Sequence, residues 1–201
     1  MEYLKFILYG LIQGLTEFIP VSSTAHLKVI SLLLGIDDPG SSLSAIIQLG
    51  SILALFWYFR NDFFKLRRQS TKNLFDYFLH QRLLRSILIG VSQAFAILPG
   101  VSRSGITIST ALVTGWERVD AAKFSFILGI PAISIAAIVE FISSFDELYS
   151  FSFFPLLFGL FTTFLSSLFA IDFLLKYFSS NGLKLFIIYR VVFGVVILLN
   201  L

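Results

Sequence analysis

A first group of polar side chains interrupts the apolar sequence near the amino terminus. Gln13 and Glu17 are four residues apart, so in a helix they share one face. A helix that begins at Ser22 or Ser23 places His26 one turn on, over the hydroxyls. The group thus supplies an acid, a nucleophile and a base. Because a carboxylate has no reason to bind anionic phosphate directly, Glu17 either orients His26 or holds a divalent cation through oxygen ligands.

A second group lies inside residues 86–116, an apolar stretch whose only charged residue within these limits is Arg103. An ionisable side chain at bilayer depth is costly and marks a functional site by default. Pro99-Gly100 breaks a helix just before it, so free N–H groups of the next helix would lie beside the guanidinium. Hydroxyls flank it at Ser102, Ser104 and Thr107. Amides, hydroxyls and a guanidinium together are how a protein holds phosphate.

Structural roles compete with these functional ones. Hydroxyls in membrane helices usually bond the backbone or a neighbouring helix. His26 could be a packed, satisfied histidine, and Glu17 and Arg103 could pair with each other. Four further polar residues have no surrounding group, and structural pairing is expected for them: Gln48, Glu140, Asp172 and Arg190.

The composition is that of a membrane protein. Of 201 residues, 57% are hydrophobic and 13% charged, with a mean hydropathy of +0.89. The absence of cysteine excludes disulfides and thiolate chemistry. No signal-peptide cleavage pattern is visible, so the first apolar segment is expected to stay. We expect an integral protein of the plasma membrane, with no nucleic-acid partner.

The apolar segments predict an all-α integral membrane protein with two re-entrant helix hairpins and about four transmembrane helices. The arms Leu4–Ile19 and Ser22–Gly35 would span roughly 24 and 21 Å as helices, short of a hydrocarbon core of about 30 Å. A hairpin that enters and leaves on one side fits them better than two crossings. One polytopic domain, 1–201, therefore contains hairpins at about 3–35 and 86–116 and crossings at about 43–59, 121–142, 151–175 and 185–201.

The two hairpins show signs of an inverted repeat. At an offset of 80 residues, four positions of the first coincide with identical residues of the second: Gly10, Gln13, Val21 and Ser22 with Gly90, Gln93, Val101 and Ser102. A single crossing separates the hairpins, so they enter from opposite faces. The site is then expected near the midplane, where the two breaks meet.

Two long motifs resemble the signatures of a known family. Gln13–His26 and Pro99–Thr107 look like the first and second signatures of the undecaprenyl-diphosphate phosphatases, the bacitracin-resistance proteins. Ile47–Ala54, Phe124–Phe126 and Tyr189-Arg190 match as well, so the resemblance covers nearly the whole chain. It implies an integral membrane enzyme with two re-entrant hairpins in inverted repeats and a need for Mg²⁺ or Ca²⁺.

The resemblance also implies roles for individual residues. Gln13 and Glu17 take the acidic motif, although Gln13 stands where a glutamate is common, which weakens a two-carboxylate metal site. The active-site serine and histidine correspond to Ser23 and His26. The phosphate-binding residues correspond to Ser102, Arg103 and Thr107, beside which Ser22 and Ser104 are further candidates for substrate binding. The chain is shorter than many members of the family. Longer relatives place two more crossings before the second hairpin, and this chain lacks the residues for them.

We therefore expect hydrolysis of a polyprenyl diphosphate, undecaprenyl diphosphate above all, to the monophosphate and phosphate. Ser23 would be the nucleophile assisted by His26, with Glu17 orienting His26 or holding the metal; His26 or a metal-bound water acting directly is the alternative. Arg103 would stabilise developing charge. The alternative function is a lipid-phosphate flippase or transporter, since inverted repeats with midplane breaks are also transporter architecture. A homodimer is a further expectation.

The distribution of lysine and arginine predicts the orientation. The loop that contains Arg60, Lys65 and Arg67 is rich in positive charge, whereas the loops 37–42 and 143–150 hold none. The positive-inside rule places the first loop in the cytoplasm, and both termini and the first hairpin outside.

Single cysteines introduced into this cysteine-free chain test the orientation. An impermeant thiol reagent applied to intact cells should label a cysteine at Ser41 and leave one at Ser70 unlabelled, because only the first lies outside. Labelling at Ser70 but not at Ser41 would reverse the assignment.

Overall fold

The structure, a computed structural model, describes residues 2–36, 38–68, 83–98, 100–143 and 151–200. These residues form eight α-helices and no strand, which confirms the predicted all-α class. In chain order they are α1 Glu2–Phe18, α2 Ser23–Leu34, α3 Gly40–Arg68, α4 Leu83–Gln93, α5 Arg103–Val113, α6 Arg118–Ser143, α7 Phe153–Ser180 and α8 Lys184–Asn200.

The first pair of helices, α1 and α2, is broken at a short turn. α1 has 17 residues and α2 has 12, so α2 covers only about 18 Å along its axis. Ser22, which precedes α2, has φ 73°, a left-handed conformation that costs a non-glycine residue about 1–3 kcal/mol. Gly35 ends α2 in the left-handed conformation that helix ends favour. The chain thus makes a sharp and strained turn next to Glu17 and Ser23.

A second break separates α4 from α5. A 3₁₀ turn, Ala94–Ile97, follows α4, and Gly100 has φ 83°, which glycine adopts without strain. Pro99, the other half of the predicted break, lies outside the described residues. Ser102 caps α5 by accepting a hydrogen bond at its Oγ from the Gly105 N–H at 3.1 Å, so the new helix begins at Arg103.

Three of the described helices are long and apolar enough to cross a membrane: Ser42–Asp62 within α3, Arg118–Glu140 within α6 and Phe153–Ser180, which is α7. They correspond to the first three expected crossings. The fourth expected crossing, 185–201, corresponds to α8, whose 17 residues lie at the short end of the range for a spanning helix. Pro131 lies inside α6 without ending it.

The centre of the bundle is a seam of small residues along α7. Gly10 and Gly14 of α1, and Gly50 of α3, approach it so closely that a Cβ on any of them would lie within 3 Å of atoms of α7. On α7 the seam consists of Gly159, Thr163, Ser166 and Ser167, together with the backbone carbonyl of Leu160. Small residues let membrane helices approach and pack by van der Waals contact. α7 therefore holds α1 and α3 in fixed positions.

One apolar cluster joins both hairpins to the spanning helices. Phe18 and Val21 from the first break lie in the same cluster as Ile89 of α4 and Ile108 of α5. The Phe18 ring packs edge-on against Phe126 of α6, with centroids 5.2 Å apart. The turns that carry the polar residues are thereby fixed on α6.

The close approach of α1 to α7 gives a stability prediction. In Gly14→Ala the added methyl group would lie 2.0 Å from the Ser166 Oγ and 2.6 Å from the Thr163 carbonyl oxygen, so the helices must separate. We expect a loss of about 1–3 kcal/mol in the free energy of unfolding, measured by thermal denaturation in detergent.

Gly194→Ala in α8 is the matched control, since no atom lies within 4 Å of its added methyl group. It should leave the melting temperature unchanged or slightly raised. Equal melting temperatures for the two variants would contradict the tight seam.

Candidate active site

The carboxylate of Glu17 lies at the centre of the site, at the carboxyl end of α1, and is buried. Its Oε2 accepts hydrogen bonds from the Gln13 amide at 2.9 Å, the Ser23 hydroxyl at 3.1 Å and the Gln48 amide at 3.3 Å. Its Oε1 pairs with Nη2 of Arg103 at 3.1 Å. Four donors from both hairpins and from α3 therefore converge on one acid.

Arg103 extends from the first turn of α5 onto α6. Its Nη1 donates to the carbonyl oxygen of Ser125 at 3.0 Å, and its Nε is buried without a partner among the described residues. The guanidinium lies against Gly129, where a Cβ would be 2.2 Å from Nη1 and 2.6 Å from Cζ. A glycine at this position makes room for the arginine, and the spare N–H can donate to a ligand.

The hydroxyls of the second break divide into two groups. Ser102 lines the cavity beside Arg103, and its Oγ lies 3.2 Å from that of Ser104. Ser104 donates to the Ile19 carbonyl oxygen at 3.4 Å, which links the two breaks. Thr107 bonds the Arg103 carbonyl at 2.8 Å and the Ser125 hydroxyl at 2.6 Å. Ser104 and Thr107 thus support the site, while Ser102 faces its interior.

His26 lies on the side of α2 that faces α8. Its Nδ1 is 2.7 Å from the Ser22 carbonyl oxygen and its Nε2 is 2.6 Å from the Tyr189 hydroxyl. Its ring stacks on Phe193, with centroids 4.4 Å apart. Because a carbonyl oxygen can only accept, Nδ1 carries a hydrogen and donates; in the neutral ring Nε2 then accepts from Tyr189.

This geometry changes two expectations about His26. Glu17 does not orient it, because the four partners of the Glu17 carboxylate come from other residues. Nor does Ser23 bond His26, since the Ser23 hydroxyl donates to Glu17. The predicted acid, serine and histidine are close in sequence, but the strained turn at Ser22 directs Ser23 toward Glu17, while His26 faces α8.

Three cavities meet at this site. A small one of about 150 Å³ lies between the two breaks and is lined by Glu17, Ser22, Ser23, Ser102 and Arg103, among others. A second, of about 480 Å³, continues past Ser23 and Thr24 toward Lys28 and Asp38. A third, of about 530 Å³, is lined mainly by small and apolar residues, among them Ala94, Ile97 and Ile133. Gln48 lines all three.

Three residues of the site were not expected from the sequence. Gln48, for which structural pairing was expected, bonds Glu17 and lines all three cavities. Its signal was an amide in an otherwise apolar crossing. Gly129 and Tyr189 act through the packing of α6 and α8 against the hairpins. Tyr189 falls in a pair of residues that resembles the family, but nothing in the sequence links it to His26.

A divalent cation on Glu17 does not fit this arrangement. The carboxylate oxygens are already occupied by four hydrogen-bond donors, one of them a guanidinium. Gln13 supplies no second carboxylate, and no three histidine, aspartate or glutamate side chains gather anywhere in the described residues. A cation of this kind needs several oxygen ligands with free lone pairs.

Comparisons with known proteins agree over the whole chain. The sequence model of the family described as bacitracin resistance protein BacA matches residues 6–82 and 77–196. An undecaprenyl-diphosphatase of Prochlorococcus marinus strain MIT 9215 is 59% identical over 266 residues, which cover 100% of both chains. That of strain MIT 9312 is 60% identical over 265 residues, 100% of this chain and 99% of the relative. That of Synechococcus sp. strain RCC307 is 36% identical over 260 residues, which cover 96% of this chain and 91% of the relative.

The alignments are longer than the chain itself. An alignment of 266 residues against a chain of 201 leaves about 65 positions at which this chain has no residue. The family model matches this chain in two segments, which meet at residues 77–82. About 65 residues are enough for two crossings of about 20 residues each, and all the site residues described above lie outside residues 77–82.

The buried pair of Glu17 and Arg103 gives a testable coupling. Glu17→Gln or Arg103→Gln alone leaves one charge buried without its partner, which should cost about 3–5 kcal/mol. The double variant removes both charges and should lose much less than the sum of the two. Thermal denaturation in detergent measures all three.

The pair Lys176–Asp172 offers a control of the same type, with its nitrogen and oxygen 2.6 Å apart but both side chains largely exposed. Lys176→Gln should cost about 0–1 kcal/mol. Additive losses in the Glu17 and Arg103 variants would show that the two charges do not stabilise each other.

Proposed function

The chain belongs to the bacitracin resistance protein BacA family, and from that membership we propose how its site hydrolyses undecaprenyl diphosphate to the monophosphate and inorganic phosphate. The relatives of highest identity are named undecaprenyl-diphosphatases, and the chain is a multi-pass membrane enzyme of this type. The main support for this mechanism is a buried arginine with a spare N–H and three serines around one small polar cavity at two helix breaks.

The cavities suggest how the substrate lies. The diphosphate would occupy the cavity of about 150 Å³, where Arg103 Nε, the Ser102 hydroxyl and the first amides of α5 can donate to its oxygens. The start of the prenyl chain would follow the apolar cavity past Ala94 and Ile97. Gln48, at the junction, would contact the boundary between head group and tail.

Arg103 is positioned to link substrate binding to the chemistry. A phosphate that accepts from the guanidinium competes with Glu17 for it. If Arg103 turns toward the phosphate, the Glu17 carboxylate loses its counter-charge. The arginine at the same time neutralises charge that develops on the transferred phosphoryl group.

Ser23 is the nucleophile in this proposal. Its hydroxyl already donates to Glu17 at 3.1 Å, so the proton can pass to the carboxylate as the serine oxygen attacks the terminal phosphorus. The bond from that phosphorus to the bridging oxygen breaks, and the lipid monophosphate leaves with the electron pair. Water then cleaves the phosphoserine. Direct attack by a water held by Glu17 is the alternative.

His26 has a supporting part in this scheme. Both of its ring nitrogens are engaged, one by Ser22 and one by Tyr189. It would hold the strained turn at Ser22 and thus the direction of the Ser23 side chain. A need for Mg²⁺ or Ca²⁺, implied by the resemblance, stays a prediction, and no step here uses a cation.

The orientation of the chain is also proposed. With the Lys- and Arg-rich carboxyl end of α3 and the residues after it inside, both termini and the first hairpin face the outside of the plasma membrane. A lipid diphosphate released on the outer side by wall synthesis would then reach the site directly. A homodimer stays a prediction from the sequence.

Phosphate release from undecaprenyl diphosphate by purified protein in detergent tests the function. Since no membrane separates two compartments there, a flippase or transporter would release none. A transporter would need an anion-binding arginine but has no use for a serine bonded to a buried carboxylate. Absence of release under conditions in which a relative is active would refute the proposal.

Arg103→Lys distinguishes catalysis from simple docking. The lysine keeps the charge but loses the fork that can contact a phosphate and a neighbour at once. We expect kcat to fall by about a hundredfold, the scale for one lost oxyanion donor, with a smaller change in KM. A rise in KM with kcat intact would limit Arg103 to docking the lipid, and near-wild-type values of both would remove it from the site.

A further inference from the structure

We propose that Arg190 of α8 is a second phosphate-binding residue of this site, held in place by Tyr189. The inference deepens the proposed function, since it concerns the same lipid diphosphate. It adds a helix, α8, to the two hairpins that the sequence motifs indicate.

The position of Arg190 in α8 needs an explanation. It is the only charged residue in 185–200, a segment otherwise made of apolar residues, a tyrosine, a glycine and an asparagine. An arginine within an apolar membrane helix is costly, and such residues usually line a pathway or meet a partner. A role independent of structure is therefore worth testing.

Structural pairing, which the sequence suggested for Arg190, is not found. Arg190 takes part neither in the ion pair of Arg103 with Glu17 nor in that of Lys176 with Asp172. Arg190 makes no hydrogen bond to a described residue either, and its side chain is exposed. Its positive charge is therefore available to a ligand.

The guanidinium of Arg190 lies beside the start of α5. At Gly105 a Cβ would be 3.2 Å from Nη1 of Arg190 and 3.2 Å from Oγ of Ser102. Both atoms thus lie close to the same point, and the lack of a side chain at Gly105 leaves that point open. A phosphate group next to Ser102 could accept from both.

Tyr189 and its neighbours fix α8 at this place. The Tyr189 hydroxyl is 2.6 Å from His26 Nε2, and the Phe193 ring, one turn further, stacks on the same imidazole. Phe186, one turn earlier, is buried in the main core. Since most other large side chains of α8 are exposed, this single stripe sets the position of Arg190.

The net charge of the site explains what Arg190 would contribute to binding. Glu17 cancels the charge of Arg103 in the closed pair, so the buried centre alone carries little net positive charge. A lipid diphosphate is a polyanion. Arg190 supplies a positive charge that no acid of the described chain cancels, and so favours binding of the head group before Arg103 changes partner.

The test compares Arg190→Gln and Arg190→Lys with the control Lys184→Gln, which removes an exposed charge from the first turn of the same helix. Two measurements are made on purified protein in detergent. One is phosphate release from undecaprenyl diphosphate, and the other is the Kd of farnesyl diphosphate, a short diphosphate probe, by calorimetry.

We expect Arg190→Gln to raise KM and Kd at least tenfold with kcat within about threefold, Arg190→Lys to recover most of the loss, and Lys184→Gln to match wild type. A purely structural role would lower the melting temperature in both Arg190 variants without a selective rise in KM and Kd. Wild-type KM and Kd in Arg190→Gln would overturn the inference.

The proposed function is judged separately. A wild-type chain that binds farnesyl diphosphate through Arg190 but releases no phosphate would refute the hydrolysis and leave the inference standing. Normal hydrolysis that does not depend on Arg190 would support the proposed function and overturn the inference about Arg190. A chain that neither binds farnesyl diphosphate nor hydrolyses undecaprenyl diphosphate would overturn both.

Discussion

One buried ion pair, between Glu17 and Arg103, connects the two breaks in the helices on which the site depends. Taking two such charges out of water costs several kcal/mol per ion, so the pair persists only where other groups complete their hydrogen bonds. Gln13, Ser23 and Gln48 do this for the carboxylate, and the Ser125 carbonyl for the guanidinium. These four contacts follow from that requirement.

The packing of the helices holds the atoms of this ion pair and its hydrogen bonds in position. Atoms at hydrogen-bond distance must be held to within a few tenths of an ångström, and short helices cannot do so alone. The small-residue seam on α7 sets the position of α1 and α3, and the contact of Phe18 with Phe126 sets the first turn against α6. Rigid spanning helices thus position two turns that would otherwise be mobile.

Much of this site could be predicted from the sequence because its chemistry is local. A glutamate before a proline and an arginine after a proline–glycine pair, each with serines, are unusual in an apolar chain, and the structure brings them together. The partners of His26 could not be predicted in this way, because Tyr189 is 163 residues away and contacts it only through helix packing. The same reason hid Gln48, whose amide reaches Glu17 across α1 and α3.

The chain is shorter than its relatives, and this difference does not involve the residues that form the site. The alignment with a relative is about 65 positions longer than this chain, and the two matches to the family model meet at residues 77–82, between the two halves that carry the site. Neither half of the ion pair, nor the seam on α7, depends on this extra length. α4 exposes several large apolar side chains, with Leu84 69% and Val91 60% exposed.

Gly129 shows that a residue can belong to a reaction centre through the volume it does not occupy. Its missing methyl group is the space in which the guanidinium lies, so this position and position 103 form one unit although only one of them has a functional group. Searches for active sites that score side-chain chemistry would pass over it. A chemist seeking to redesign the arginine would have to begin on the neighbouring helix, by deciding how much space to leave there.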